Sequence, residues 1–259
     1  MKRNILLTIE YDGTDFAGWQ RQPEVRTIQG TLEEALTRVC RMPVQINGTS
    51  RTDAGVHALG QRASFSGDFG IPTDRLMLAL NNMLDGGMNR RGKGSDVRVI
   101  GVEEMPEEFH ARFDSKGKKY RYILDLSPSV DIFKRNYCYH VKTTLNLEAM
   151  RRGAEQIVGT HDFACFQAAG GNVRETTVRT IHSLEIIEVE AAGGKELHIE
   201  VSGDGFLYNM VRIIVGTLVD IGQGKIDAEQ VKHIIDSCDR QNAGHTAPAQ
   251  GLYLVEIYY

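Results

Sequence analysis

Hydrophobic and polar positions divide the chain into short strands of period two and helices of period near 3.6. Ile5 to Tyr11 is a mostly apolar run and predicts a buried strand, which Asp12-Gly13-Thr14 ends in a turn. Ile28, Leu32, Ala35, Leu36 and Val39 share one helical face, with Thr27 as N-cap. Val44-Gln45-Ile46 alternates as a strand, and so does Gln61 to Phe65. Pro72 to Leu84 is helical, with Leu76, Leu80 and Met83 inward. Val97 to Val102 is a strand, and Glu103 to Glu108 is acidic. The order β-α-β-α-β describes one compact α/β half, ending near Pro106.

The second half repeats the mixture. Lys116 to Leu126 alternates as a strand, with Lys119 and Arg121 on one face and Tyr120 and Tyr122 on the other. Asn146 to Val158 is a helix with Leu147, Met150, Ala154 and Ile157 inward, stopped by Gly159 to Phe163. Gln167 to Glu175 is a Gly-containing loop. Val178 to Val189 and Glu196 to Ser202 form a long hairpin across Ala192-Gly193-Gly194. Phe206 to Ile221 is apolar nearly all round and predicts a buried helix. Asp227 starts a last helix, with Gln230 completing a capping box, and Leu252 to Tyr258 closes as a strand. The fold class is therefore α+β, mixed α/β. Two helix-covered halves, 1–107 and 108–259, can share one sheet.

Composition narrows the classes. With 259 residues and ordinary apolar and charged fractions, a soluble chain with a sizeable core is expected. Cys40, Cys138, Cys165 and Cys238 are scattered, with no C-x-x-C pair, which argues against a zinc site or a disulfide framework and fits a reducing cytoplasm. No N-terminal apolar run has signal-peptide length, and the longest apolar run, Met210 to Ile221, is too short to span a bilayer. The formal charge of −4 does not favour nucleic acid, yet a local basic cleft is enough to bind it.

Candidate chemistry centres on Gly48-Thr49-Ser50-Arg51-Thr52-Asp53-Ala54-Gly55-Val56-His57-Ala58. Small, φ-permissive residues surround one carboxylate, Asp53, between Arg51 and His57. A loop side chain held by a rigid sheet is well placed for chemistry, although an ordinary turn with Asp53 bonding its own backbone has the same spacing. Arg212 sits on the otherwise apolar helix, where a buried cation needs a partner. Asp53 is one candidate, and any other acid is another. An arginine beside an aspartate keeps it ionised, as a nucleophile or base requires. Arg112, Lys116, Lys118, Lys119 and Arg121, interleaved with aromatics, suit phosphate contacts and base stacking, or else a solvated strand face. The aromatic and amide-rich segment Asp15 to Gln22 carries the only Trp, Trp19, read as a plug for the core. His57 reads as support for the loop. No phosphate loop, dinucleotide fingerprint, H-x-x-x-H spacing or G-x-S-x-G elbow is present.

At these residues the chain resembles the tRNA pseudouridine synthase A family. The resemblance runs nearly end to end: Tyr11-Asp12-Gly13-Thr14, Gly18-Trp19-Gln20, Arg51 to Ala58, Phe109-His110-Ala111-Arg112-Phe113, Tyr120-Arg121-Tyr122, His161-Asp162-Phe163, Gly205-Phe206-Leu207, Met210-Val211-Arg212 and Gly251-Leu252. It implies a central, mostly antiparallel sheet, a cytoplasmic homodimer, no cofactor and no metal. It implies isomerisation of uridine to pseudouridine in the anticodon stem-loop of tRNA, at positions 38, 39 and 40. Asp53 falls on the family's nucleophile, Arg51 on an arginine that helps flip the target base, and Tyr120 on the tyrosine that stacks on it. Arg212 matches the aspartate's basic partner. Arg112 and the loop from Gln167 to Gly171 match regions expected to touch tRNA. Two departures stand out: Ser50 occupies a usual glycine position, and the loop from Asp85 to Ser95, with Arg90, Arg91 and Lys93, is longer and more basic than the usual connection. Competing readings are an RNA-binding module without catalysis and a small-molecule isomerase with a carboxylate base.

Overall fold

The computed structural model describes residues 2–86, 94–170, 175–191 and 193–259. The fold is mixed α/β, with a central, mostly antiparallel sheet flanked by helices. Expectations for the basic loop near residue 90, for part of the loop after Gln167 and for the hairpin turn at Ala192 fall on residues 87–93, 171–174 and 192, outside the described residues. Two compact units are present, Met1–Lys116 with Leu254–Tyr259, and Gly117–Tyr253.

The first unit holds β1 (Arg3–Tyr11), α1 (Ile28–Cys40), β2 (Asn47–Gly48), β3 (His57–Gly67), α2 (Thr73–Leu84) and β4 (Val97–Met105). Its strands run antiparallel in the order β4-β1-β3, and β2 pairs the outer part of β3. Ile5, Leu6, Leu7 and Ile9 are each at most 1% exposed, so β1 is covered on both faces over Ile5-Leu6-Leu7, as its mostly apolar run predicts. The Thr27 hydroxyl accepts from the Gly30 amide at 3.3 Å and caps α1. Trp19 is buried in the core, as read from the sequence.

Three local expectations are corrected. Val44 to Ile46 is not a strand; the Thr37 hydroxyl and the Glu33 carboxylate of α1 accept its amides at 3.2 and 3.1 Å, in place of a strand partner. The inward residue closing α2 is Leu84, one turn beyond Leu80, while Met83 points outward. β4 continues through Glu103 and Glu104, whose carboxylates meet Arg62 at 2.6 Å and Arg3 at 2.9 Å.

The second unit holds β5 (Gly117–Asp125), β6 (Tyr139–His140), α3 (Leu147–Glu155), β7 (Gly159–Asp162), β8 (Val178–Ala191), β9 (Gly194–Gly203), α4 (Met210–Gly222) and α5 (Val231–Ser237). β5-β9-β8-β7 is antiparallel, and the short β6 lies parallel to β5. The last strand, β10 (Leu252–Tyr258), begins here and ends in the first unit. Tyr120 and Tyr122 of β5 are buried while Lys119 and Arg121 are half-exposed, the predicted alternation. α4 is buried at every position except Arg212.

Here too the boundaries move. Gly159 to Asp162 does more than stop α3: it pairs with β8 as β7. α4 starts at Met210 rather than Phe206, because Asn209 takes a left-handed φ of 60°. Asp227 caps a single 3-10 turn, accepting from Glu229, and α5 follows it. No helix among the described residues is long and apolar enough to cross a membrane.

Candidate active site

The Asp53 loop is a coil between β2 and β3 whose backbone is tied down on both flanks of the carboxylate. The Thr49 amide donates to the Arg62 carbonyl at 2.9 Å. Ser50 is held by Gln61, a fully buried residue of β3. The Gln61 amide nitrogen donates to the Ser50 carbonyl at 2.6 Å, and its oxygen accepts from the Ser50 amide at 3.3 Å. Thr52 is held twice: its carbonyl accepts from Trp19 at 3.0 Å, and its hydroxyl meets the Tyr11 hydroxyl at 2.8 Å. Beyond the carboxylate, the Val56 amide donates to the Asp53 carbonyl at 3.1 Å. Asp53 itself is half-buried, and Arg51 is exposed.

The segment from Asp12 to Trp19 forms the seat of this loop. Gly18 has φ +90°, and a Cβ there would stand 2.7 Å from the Thr52 carbonyl oxygen. At Gly48 a Cβ would overlap the Trp19 ring. The glycines and the Trp of the short sequence motifs thus serve one purpose, the close packing of two loops. His57 is buried, and its Nδ1 lies 3.1 Å from the Gly13 amide and 3.2 Å from an Asp12 carboxylate oxygen. One ring nitrogen cannot accept from the first and donate to the second at once. The buried Gly13 amide needs an acceptor, so we assign a neutral Nδ1 and read the Asp12 approach as a contact. This makes His57 a support, as its sequence setting indicated.

Arg112 is brought to the root of the same loop. The turn that carries it is pinned through Ala111, whose carbonyl accepts from the Thr49 hydroxyl at 3.0 Å and from the Tyr259 hydroxyl at 3.0 Å. The Ala111 amide donates to the Ser64 hydroxyl of β3 at 3.1 Å. Arg112 is exposed, with its guanidinium carbon 5.7 Å from the centre of the Phe113 ring.

In the second unit, Tyr120 is 6% exposed and meets Phe206 edge-on, with ring centres 5.1 Å apart. Lys119 and Arg121, read from the sequence as suited to phosphate contacts or else as a solvated strand face, are bound to Glu200 of β9 at 2.5 and 2.6 Å. Burial pushes the Glu200 carboxyl up, but the hydrogen bonds from Lys119 and Arg121 outweigh it and hold the group below the usual range. Both cations thus sit half-exposed on the strand face as ion-pair partners of Glu200.

Arg212 departs from the expected fully buried cation. It is half-buried, its Nε donates to the Ala247 carbonyl at 2.7 Å, and Nη1 donates to the Asn209 amide oxygen at 2.7 Å. Ala247 returns the contact, donating its amide to the Arg212 carbonyl at 3.0 Å. The segment around Ala247 is itself bound along α4. Gly244 donates to the Thr217 hydroxyl at 2.9 Å, and His245 meets the Asp220 carboxylate through its amide at 3.1 Å and its ring at 2.9 Å. Pro248 receives the Tyr122 hydroxyl at 2.7 Å, and burial pushes that phenol well above its ordinary range. The sequence reading placed Gln61 in a strand and Tyr11 in a motif without seeing that they brace the Asp53 loop, and it gave the segment from Gly244 to Pro248 no role. A glutamine in a strand and a loop without period carry no local signal. The Gly and Pro of that segment marked only irregular backbone.

No group of three or more His, Cys, Asp or Glu side chains able to hold a metal occurs among the described residues. The carboxylate and its exposed arginine are thus set on a preorganised loop.

Comparison with known proteins gives this arrangement a family. A family model described as tRNA pseudouridine synthase matches residues 7–114 and 154–259. The tRNA pseudouridine synthase A of Ruminiclostridium cellulolyticum is 48% identical over 99% of this chain and 100% of its own length. That of Acetivibrio thermocellus is 46% identical over 99% and 100%, and that of Brevibacillus brevis 44% over the full length of both. Among solved structures, a Cbf5-Nop10-Gar1 complex covers 96% of this chain and 56% of that one, at 9% identity and a TM-score of 0.32. That likeness is too slight to argue from. The matches to the family model and to full-length relatives take in the loop of Asp53, the turn of Arg112 and the helix of Arg212, and the chain belongs to the tRNA pseudouridine synthase family.

Proposed function

We propose that the chain isomerises uridine to pseudouridine in tRNA, within the anticodon stem-loop. The observation that carries the reading is the Asp53 loop, tied through Thr49, Ser50, Thr52 and Val56 while its carboxylate stays half-buried beside an exposed Arg51. A fixed carboxylate is what covalent or base catalysis needs, because positioning lowers the barrier before any bond changes.

The reaction sets the residues their tasks. The target base must leave the stack to be reached, and exposed Arg51 has the charge and length to take its place. Asp53 then acts on the ribose or the base. The bond from N1 to C1′ breaks, the base rotates, and a bond from C5 to C1′ forms. C5 gives up its proton and N1 gains one, so atoms and electrons balance. Tyr120 offers an aromatic face to hold the detached uracil, and Arg112 meets tRNA phosphate. Arg212 takes the part of the aspartate's basic partner that the family resemblance implies. The protein works as a cytoplasmic homodimer, as the family resemblance implies; a monomeric mass by light scattering would overturn that part.

The test is incubation with unmodified tRNA and mapping of pseudouridine, for the wild type, Asp53→Ala and Asp53→Asn. Product from the wild type alone is expected. A wild type that makes none sinks the function, and product from Asp53→Ala sinks the assignment of that residue. A binding module without catalysis would be indifferent to Asp53→Asn.

A further inference from the structure

Phe113 is the least covered aromatic ring of the first unit, 73% exposed. Its exposure is not that of a loose side chain. The ring lies against His110 with centres 4.3 Å apart and an interplanar angle of 32°. Beneath it the backbone is locked: Phe113 donates to the His110 carbonyl at 3.1 Å, and Asp114 does so at 3.1 Å. The Asp114 carboxylate accepts from the His110 amide at 2.8 Å. The amides of Arg112 and Phe113 face His110 Nδ1 at 3.2 and 3.4 Å, which makes that nitrogen an acceptor. Single exposed apolar residues are ordinary on protein surfaces, so exposure alone decides nothing.

Three further facts point to a ligand of one kind. The exposed Arg112 brings its guanidinium carbon to 5.7 Å from the ring centre, and a second exposed cation, Lys116, follows three residues along the chain. The turn is pinned by Ala111 to Thr49, the first residue after β2 on the way to Asp53. The two rings already pack against each other, tilted by 32°, so a base landing there costs the protein little conformational entropy. An exposed aromatic ring with a guanidinium beside it suits a nucleobase with its phosphate better than an apolar protein surface.

We infer that Phe113, packed against His110, is a stacking platform for a nucleobase of the bound tRNA. The inference rests on the proposed function, since it takes tRNA as the substrate. Base-aromatic stacking is worth enough for alanine substitution to weaken binding roughly 5- to 150-fold.

The experiment measures tRNA affinity, KM and kcat for the wild type, Phe113→Ala, Phe113→Leu and Phe113→Tyr. Alanine and leucine should raise Kd and KM by that factor with kcat within about twofold, and tyrosine should restore both. Circular dichroism melting controls for folding, and leucine keeps the apolar bulk. An anticodon-arm RNA carrying one abasic site at a time should then lose its sensitivity to Phe113→Leu at one position. Leucine binding as tightly as phenylalanine, a loss confined to kcat, or sensitivity retained at every abasic position would overturn the inference. So would a change of oligomeric mass in Phe113→Ala, which would mark the ring as covered by a second copy. A wild type that forms no pseudouridine would instead refute the proposed function, so the two failures are distinct.

Discussion

Gln61→Glu changes one nitrogen to an oxygen at the buried prop of the Asp53 loop, with no change of shape. The native amide donates to the Ser50 carbonyl at 2.6 Å and accepts from the amides of Ser50 and Arg62 at 3.3 and 3.2 Å. A glutamate at this fully buried place cannot donate while ionised, and its charge would face a carbonyl oxygen. The cheaper course is to hold it protonated, so that the acid donates where the amide did. With an ordinary glutamate pKa of about 4.3, that costs about 3.7 kcal/mol at pH 7 and only about 0.6 kcal/mol at pH 4.5. The folded pKa is raised above the unfolded one, so the folded state binds the extra proton and stability falls as pH rises. The deficit against wild type should therefore grow by about 3 kcal/mol from pH 4.5 to pH 7, a large share of a typical domain stability of roughly 5–15 kcal/mol. Urea unfolding of both proteins at the two pH values measures it, and the wild type's own pH dependence cancels in the difference. A deficit equal at both values, or absent at pH 7, would refute the reasoning. Pseudouridine formation should fail in the same direction, because Ser50 lies three residues before Asp53.

Gly18→Ala forces a side chain onto φ +90° and against the Thr52 carbonyl; denaturant unfolding should show a loss above about 1 kcal/mol, with kcat falling more than tRNA affinity. Wild-type values for both would show that this seat does not position the loop. Asp220 is pushed up by burial but held below its ordinary 3.8 by the stronger pull of His245 and Lys225. Its stabilising contribution is present above the unfolded value and lost as pH falls through the lowered one, so the stability gap to Asp220→Asn should narrow below about pH 4. A gap that stays constant in pH-dependent melting down to pH 3 would count against the ion-paired assignment. Arg112→Ala should lower the slope of log affinity against log salt by about one, while Lys119→Ala, already paired to Glu200, should leave it unchanged. Equal slopes for the two variants would contradict that contrast.

Much of this protein was legible in its residues because much of its structure is local. The strand from Ile5 to Tyr11, the helix capped by Thr27 and the alternation of Tyr120 and Tyr122 follow from periodicity, which reports the face a side chain takes. The Asp53 loop was legible for the same reason: its glycines, carboxylate and arginine lie within one contiguous stretch. Tertiary structure decided who meets whom, which periodicity does not carry. Val44 to Ile46 has a strand's pattern, but the α1 side chains of Thr37 and Glu33 took its hydrogen bonds. The ion pairs of Lys119 and Arg121 were not legible because their shared partner, Glu200, lies 79 residues beyond Arg121. Arg212 found a carbonyl 35 residues away, and Ser50 found the one glutamine that satisfies both its backbone groups. The sequence by itself determined most of the elements and picked out the contiguous loop that carries the candidate carboxylate. Only the folded chain decided which polar groups brace that loop, because a buried amide or charge takes whichever partner the packing brings near.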